Sequence, residues 1–291
     1  MGKYSIKELE QLSGIKAHTI RIWEKRYELI HPERTETNIR FYSDDDLKKI
    51  INVSVLNNHG LKISRIANLS ADDLNKQVIA LAESQNSTDL YIDQLVVSMV
   101  DLEEEEFERL VSSLNMKFGL ERTITEIIYP FLDKIGILWQ TGNISPAQEH
   151  FISNLIRQKI IVAIDALPIA PKTAARAVMF LPENELHELG LLFQYYLTKK
   201  ENIRVFYLGQ SVPYNDLKKV VEEHRPHFLI SSMTSHPSAH YLQGYIKTLA
   251  ADFPAIQILL SGAALHKNHL QIPSNVQILN KALSLREALK K

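Results

Sequence analysis

The chain has 291 residues, 45% of them hydrophobic and 23% charged, the balance of an ordinary folded soluble protein of two or three domains. It has no cysteine, which excludes disulfides, thiolate zinc sites and a cysteine nucleophile, and its net charge of −1 means that any affinity for nucleic acid must come from a local basic surface. No apolar run reaches the ~18 residues of a membrane span and the amino terminus lacks an apolar leader, so a cytoplasmic location without a membrane partner is expected.

Ser5, with Glu8 three residues on, caps a predicted helix over 6–12. Ser13-Gly14-Ile15 reads as a tight turn into a second helix over 16–27. Ile15, Ile20 and Trp23 recur as an inward stripe, and Lys16, His18, Thr19, Arg21, Lys25 and Arg26 fall largely off it. Two short helices joined by a glycine-bearing turn are a helix-turn-helix signal, and the second would enter a major groove. A helical hairpin with a solvated basic face has the same pattern. Residues 32–42 are polar, with arginines spaced as in a hairpin wing, and Arg34, Arg40 and Tyr42 are placed to contact phosphates. Ser43 caps a further helix whose Asp44, Asp45 and Asp46 suit its positive end. The run Thr19-Ile20-Arg21-Ile22-Trp23-Glu24-Lys25-Arg26-Tyr27, then Pro32, Arg34-Thr35 and Arg40-Phe41-Tyr42-Ser43-x-x-Asp46-Leu47, resembles the winged DNA-binding domain of MerR-family regulators over about residues 1–72. The resemblance implies binding to promoter DNA as a dimer on a two-fold operator. Many members continue into one long dimerising coiled coil. Here no heptad pattern continues beyond residue 72, and 70–88 reads as a polar stretch broken at Asn86-Ser87, so another dimerising surface is expected.

Residues 89–167 predict four helices, over about 90–100, 104–115, 121–139 and 146–167, with loops short enough for a four-helix bundle. Ser145, Pro146 and Gln148 mark the start of the last one. The Glu103–Glu106 run reads as a solvated helix start. Trp139 ends the third helix, and Glu149 and His150 lie in the first turns of the fourth. Singly these are a core aromatic and surface polars. A tryptophan a short way before a Glu-His pair nevertheless resembles the helical cap of cobalamin-binding regulators of the CarH and LitR type, where the bundle covers the upper face of the corrin.

Strand-like runs at about 177–181, 204–208, 228–232, 257–260 and 276–279 alternate with helical runs at 187–199, 214–223, 239–249 and 283–290. Such alternation predicts a parallel doubly wound sheet, which binds ligands at the carboxyl ends of its strands. The loops there are Glu185-Leu186-His187-Glu188-Leu189-Gly190, then 208–213, Ser231-Ser232-Met233-Thr234 and Ser261-Gly262-Ala263-Ala264. A carboxylate two residues before a histidine can fix its tautomer, and Gly190 would admit something flat and bulky near the backbone. Alone, the stretch reads as a polar strand-to-helix loop with an incidental histidine. Together, the loops resemble the cobalamin-binding fold shared by methionine synthase, corrinoid proteins and CarH-type regulators, whose first loop reads Asp-x-His-x-x-Gly. The resemblance makes His187 the lower axial cobalt ligand, with Gly190 matching. It puts Ser232 and Thr234 in the hydroxyl-bearing loop that meets the displaced dimethylbenzimidazole tail. Gly262 matches the first glycine of a pair that lets the nucleotide tail pass close to the backbone. Three departures stand out: Glu185 replaces the aspartate, Ala263 replaces the second glycine, and Gln140 follows Trp139 where light-sensing members carry a second histidine. Light sensing through a bis-histidine photoproduct is therefore not expected.

The expected fold class is multidomain α and α/β: a winged helix-turn-helix over 1–72, a four-helix bundle cap over 76–168, and a doubly wound parallel-sheet, Rossmann-like cobalamin-binding domain over 174–291. The expected function is transcriptional regulation, with repression as its direction. Bundle and sheet would bind a cobalamin between them, as adenosylcobalamin or methylcobalamin, and its presence would set self-association as dimer or tetramer and affinity for double-stranded promoter DNA. Glu185, Gln140 and Ala263 favour a second reading, in which the module has lost the cofactor and serves oligomerisation or protein interaction. A corrinoid methyl carrier would share the cap and sheet, but the winged segment and the lack of a nucleophile constellation argue against an enzyme.

Overall fold

In the computed structural model, which describes residues 3–35, 37–85, 88–140, 144–235, 238–266 and 269–290, side-chain caps fix the first helices. Ser5 and Glu8 close a capping box that starts α1 (Ile6–Ser13), and Gly14 ends it in the left-handed region at φ 73°. The next helix, α2 (Ala17–Tyr27), has no cap of its own. Glu10 of α1 supplies one: its Oε2 accepts the Ala17 N–H at 2.9 Å and its Oε1 pairs with Lys16 Nζ at 3.0 Å. These bonds, the Ala17 N–H first, hold the Glu10 carboxyl below its ordinary range. The turn between the two helices is thus braced from both sides.

A short antiparallel wing follows, β1 (Glu33–Arg34) with β2 (Arg40–Phe41), and Tyr4 bridges to Tyr42 beside it. A second capping box, Ser43 with Asp46, starts α3 (Asp44–Asn58). Leu9, Leu12, Ile20, Trp23, Leu47, Ile50 and Ile51 are all buried, which ties α1, α2 and α3 into one core. After α4 (Ile63–Ile66) comes α5 (Ala71–Gln85). Residues 70–88 are therefore mainly helical, which corrects the polar-stretch expectation. Ser70 caps the helix by accepting the Asp73 N–H at 3.1 Å, and Leu74 and Val78 give it a narrow buried stripe against α3.

The helical region continues with α6 (Thr88–Val100), α7 (Glu104–Arg122), α8 (Tyr129–Gln140) and α9 (Pro146–Asp165). The helix expected over 121–139 is not one α-helix. Gly119 breaks α7 at φ 77° and ψ 156°, and a π-helical turn spans Thr123–Ile128 before α8. Thr123 Oγ1 donates to the Gly119 carbonyl at 3.0 Å and Thr125 Oγ1 to the Glu121 carbonyl at 2.8 Å, so side-chain hydroxyls serve carbonyls at the distorted turn. The chain divides into two compact units, 1–155 and 156–291, with the division inside α9.

The second unit is a five-stranded parallel sheet in the order β4-β3-β5-β6-β7. Its strands are β3 (Arg176–Pro182), β4 (Arg204–Val212), β5 (Phe228–Ser232), β6 (Gln257–Ser261) and β7 (Val276–Ile278). The connecting helices are α10 (Leu189–Lys200), α11 (Tyr214–His224), α12 (Ala239–Asp252) and α13 (Ala263–His266), with α14 (Ser284–Ala288) after β7. Val178, Phe180, Leu229, Ile258 and Leu260 pack with Leu217, Val221, Leu242, Ile246 and Leu249 of α11 and α12. The chain moves from β3 outward to β4, then returns to the other side of β3 as β5. The topological switch point therefore lies between β3 and β5, where open sheets of this order form a ligand crevice at the strand carboxyl ends.

Candidate functional site

Two surfaces carry candidate chemistry, one in each unit. On α2, Ile20 and Trp23 are buried, while His18, Arg21, Lys25 and Arg26 are exposed and Thr19 is half-buried. Lys16, just before the helix, keeps an exposed side chain while paired with Glu10. On the wing, Arg34 Nη1 donates to Asn38 Oδ1 at 2.6 Å, and Arg40 Nε lies 3.4 Å from Glu24 Oε1. Tyr42 does not fit the expectation of a phosphate contact. It is 0% exposed, and its hydroxyl donates to Glu24 Oε2 at 3.2 Å. Burial, then the Glu24 charge and hydrogen bond, push its phenol up to about 12. Tyr42 is therefore a wing support, joined through Glu24 to Arg40.

At the switch point residues 184–187 are held from two sides, by β4 and by the loop after β5. The Asn184 N–H donates to Ser211 Oγ at 3.0 Å, the Ser211 N–H to the Glu185 carbonyl at 3.2 Å, and Gln210 Nε2 to the Leu186 carbonyl at 2.7 Å. Ser211 and Gln210 belong to β4, which runs on to Val212 instead of ending near 208; Gly209 and Ser211 take positive φ to make that extension. From the β5 side, Glu185 Oε2 accepts the N–H groups of Thr234 at 2.8 Å and Ser235 at 2.7 Å. Glu185 Oε1 accepts the His187 N–H at 3.0 Å and sits 2.6 Å from His187 Nδ1, with Ser235 Oγ donating at 3.0 Å.

Burial raises the Glu185 carboxyl, but the His187 ring, then the His187, Ser235 and Thr234 N–H groups, outweigh it and hold the acid well below the ordinary range. An ionised carboxylate only accepts, so the His187 proton resides on Nδ1, and Nε2 is the nitrogen that would bind a metal. The longer acid reaches the ring despite the extra methylene. The His187 side chain is 63% exposed and that of Glu185 6%, so a buried acid steers an outward-facing ring.

The other predicted residues fall around this pair. A Cβ at Gly190 would lie 3.9 Å from Ser232 Oγ, an ordinary contact, which places Gly190 beside the buried Ser232. Thr234 is half-buried, and its backbone is one of the two arms that hold Glu185. Gly262 has a structural reason to be glycine besides the one expected. At φ 109° its Cβ would stand 2.2 Å from the Met233 carbonyl oxygen. The close approach that demands glycine there is to the chain's own β5 loop, where Met233 N–H donates to the Ser261 carbonyl at 2.8 Å and Ala264 N–H to the Met233 carbonyl at 3.1 Å.

Sequence reasoning missed Glu188. It precedes α10, which begins at Leu189, two residues later than the expected start at His187. Its Oε1 accepts from the Tyr207 hydroxyl at 2.9 Å and its Oε2 pairs with Arg157 Nη2 at 2.9 Å, so it anchors the residue next to the histidine to β4 and α9. The only sequence signal was a second acid beside His187, which reads equally as a solvated helix start. In the first unit, Trp139 and Gln140 close α8, but their side chains lie outside the described residues. Glu149 Oε1 accepts from Ser153 Oγ at 3.1 Å, and its Oε2 lies 3.5 Å from Nε2 of the exposed His150. Among the described residues no group of three or more His, Asp or Glu side chains is disposed to hold a metal ion, and no helix is long and apolar enough to cross a membrane.

Residues 4–72 match the MerR HTH family regulatory protein model, and residues 91–163, α6 to α9, match the B12 binding domain model. The chain is 26% identical over 268 residues to the HTH-type transcriptional repressor CarH of Myxococcus xanthus, covering 90% of this chain and 89% of that protein. It is 28% identical over 224 residues to the HTH-type transcriptional repressor CarA of the same organism, covering 76% of this chain and 73% of that one. Among solved structures, the monomethylamine corrinoid protein of Methanosarcina barkeri superposes with a TM-score of 0.56 at 14% identity, covering 70% of this chain and 98% of that one. At that identity the likeness speaks to fold alone.

Proposed function

We propose that this chain, a transcriptional regulator that joins a MerR helix-turn-helix segment to a B12-binding domain and is homologous to the CarH and CarA repressors, represses transcription under the control of a bound cobalamin. The α2 face and the wing would hold double-stranded promoter DNA. The β3–β5 switch point would hold the corrinoid, as adenosylcobalamin or methylcobalamin, and its presence would set a dimer or tetramer. The observation that carries this reading is the Glu185–His187 pair, at 2.6 Å, clamped by Thr234 and Ser235 at the switch point.

The donor set suits the group. A neutral imidazole with its tautomer fixed by a carboxylate is how proteins present a histidine to a metal. When bound, a cobalamin would supply a cobalt ion with an exchangeable coordination site. His187 would provide a nitrogen ligand, Glu185 would keep the proton on Nδ1, and Ser232 and Thr234 would meet the tail with hydroxyls. Such a ligand regulates only as far as it binds one assembly state better than another.

The test is reconstitution. Full-length protein incubated with adenosylcobalamin or methylcobalamin in the dark should stay coloured after gel filtration. His187→Ala should lose the spectral signature of an axial nitrogen. A colourless wild-type protein would overturn the cobalamin reading and leave the alternative, a regulator whose α/β unit serves oligomerisation or protein interaction. Ala263, which adds a methyl directly after Gly262, is the observation on that side.

A further inference from the structure

The centre of the basic face on α2 is not basic. Ile22 is 52% exposed, halfway along the helix. His18 lies four residues before it, Lys25 three and Arg26 four after it, and Arg21 is adjacent; all four are exposed. At helical spacing His18, Lys25 and Arg26 are neighbours of Ile22 on one face, with Arg21 turned to its side. Scattered exposed apolar residues are common and call for no explanation. This one stands beside Arg21, Lys25 and Arg26, where a lysine or arginine would have higher helix propensity and more attraction for a polyanion. Cations at a protein–DNA contact serve phosphates, which fix position without reading sequence. In the major groove, the one apolar group on a base edge is the thymine C5-methyl.

We infer that Ile22 is a specificity-determining residue that packs on thymine methyl groups in the major groove while the surrounding cations hold the flanking phosphates. The inference rests on the DNA-binding reading above and deepens it: it says which bases the helix prefers. The β-branched side chain has one strongly preferred rotamer in a helix, so it loses little freedom on contact. Its neutrality also makes a distinct claim. Removing it should change base preference without changing the number of phosphates contacted.

The experiment starts from duplexes selected out of a random library by the full-length protein. In a selected duplex each thymine is replaced in turn by deoxyuridine, which lacks only the C5-methyl. Wild-type protein should lose roughly fourfold in affinity at one or two positions, the scale of one methyl group withdrawn from an apolar contact. Ile22→Ala should lose a similar factor on the thymine duplex and become indifferent to deoxyuridine at those positions, the non-additivity expected of direct contact. Its salt slope should match that of wild type. Ile22→Val, which keeps a branched apolar tip, should retain the deoxyuridine penalty, and since residue 22 is exposed both variants should melt as wild type does. Tight wild-type binding with no deoxyuridine penalty anywhere, or penalties that persist undiminished in Ile22→Ala, would sink the thymine inference and leave the regulator reading intact. A wild-type protein that enriches no duplex at low salt would overturn both.

Discussion

An exposed imidazole ordinarily chooses its own rotamer and tautomer. At residue 187 that choice has been taken over by a buried acid, and the geometry makes the two residues unequal. Glu185 serves five donors, two of them backbone N–H groups from the β5 loop. Glu185→Ala leaves those N–H groups without their acceptor and should lower stability by about 3 kcal/mol, whereas His187→Ala at the surface should cost about 1 kcal/mol or less. Denaturant unfolding of the two variants measures the contrast, and equal losses would mean that Glu185 does not organise the loop. A similar distinction applies on the wing. If Tyr42 is a support and not a phosphate contact, Tyr42→Phe should cost about 1 kcal/mol of stability through the lost bond to Glu24 and leave the salt slope of DNA binding unchanged. A slope lowered by one would restore Tyr42 to the DNA face.

At the scale of elements, what was legible depended on where the physical signal is local. The capping boxes at Ser5 and Ser43, the Gly14 stop and the buried stripe of Ile20 and Trp23 are encoded within a few residues, and α1, α2 and α3 lie where the pattern put them. The strands of the parallel sheet were legible for a related reason: β5 and, after Arg176, β3 are buried throughout and read as short, mainly apolar runs. α5 was hidden because, among its described side chains, Leu74 and Val78 are the buried ones, too few to stand out from a polar composition, although its Ser70 cap was present. The π-helical turn at Thr123–Ile128 was invisible to a 3.6-residue period, since a wider turn shifts the phase without changing composition. The extension of β4 to Val212 was read as loop because Gly209 and Ser211 are loop-like in type; they bend the strand edge and bring Gln210 and Ser211 to the Glu185 loop. Gly262 is a case where the structure supplies a reason for glycine that the sequence did not show. Its Cβ would collide with backbone and its φ is outside ordinary L-residue range, so Gly262→Ala should cost about 3 kcal/mol or more and cut soluble yield. A soluble Gly262→Ala protein with an unchanged melting point would show that the Met233 carbonyl can move aside.

The whole molecule must reconcile a net charge of −1 with binding to a polyanion. Affinity then rests on a few local cations and falls with salt according to how many phosphates they neutralise. Arg40→Ala should lower the slope of log K against log salt by about one unit, while His187→Ala leaves it unaltered. Under the proposed function, the harder requirement is that a ligand at residue 187 change the affinity of α2 for DNA. At equilibrium this is a coupling free energy, and it is reciprocal. If saturating adenosylcobalamin changes affinity for a selected duplex by some factor, the duplex must change affinity for adenosylcobalamin by the same factor, with tenfold corresponding to about 1.4 kcal/mol. Both titrations must be run at one protein concentration with the mass of the complex recorded, because a dimer–tetramer equilibrium shifts apparent affinities by mass action. The expected outcome is two equal factors different from one in the wild type. In His187→Ala both should collapse to one while affinity of the unliganded protein for the duplex stays as in wild type. A variant that lost unliganded DNA affinity as well would mean that residue 187 supports the assembly itself, and the histidine would then belong to the oligomer and not to a sensor.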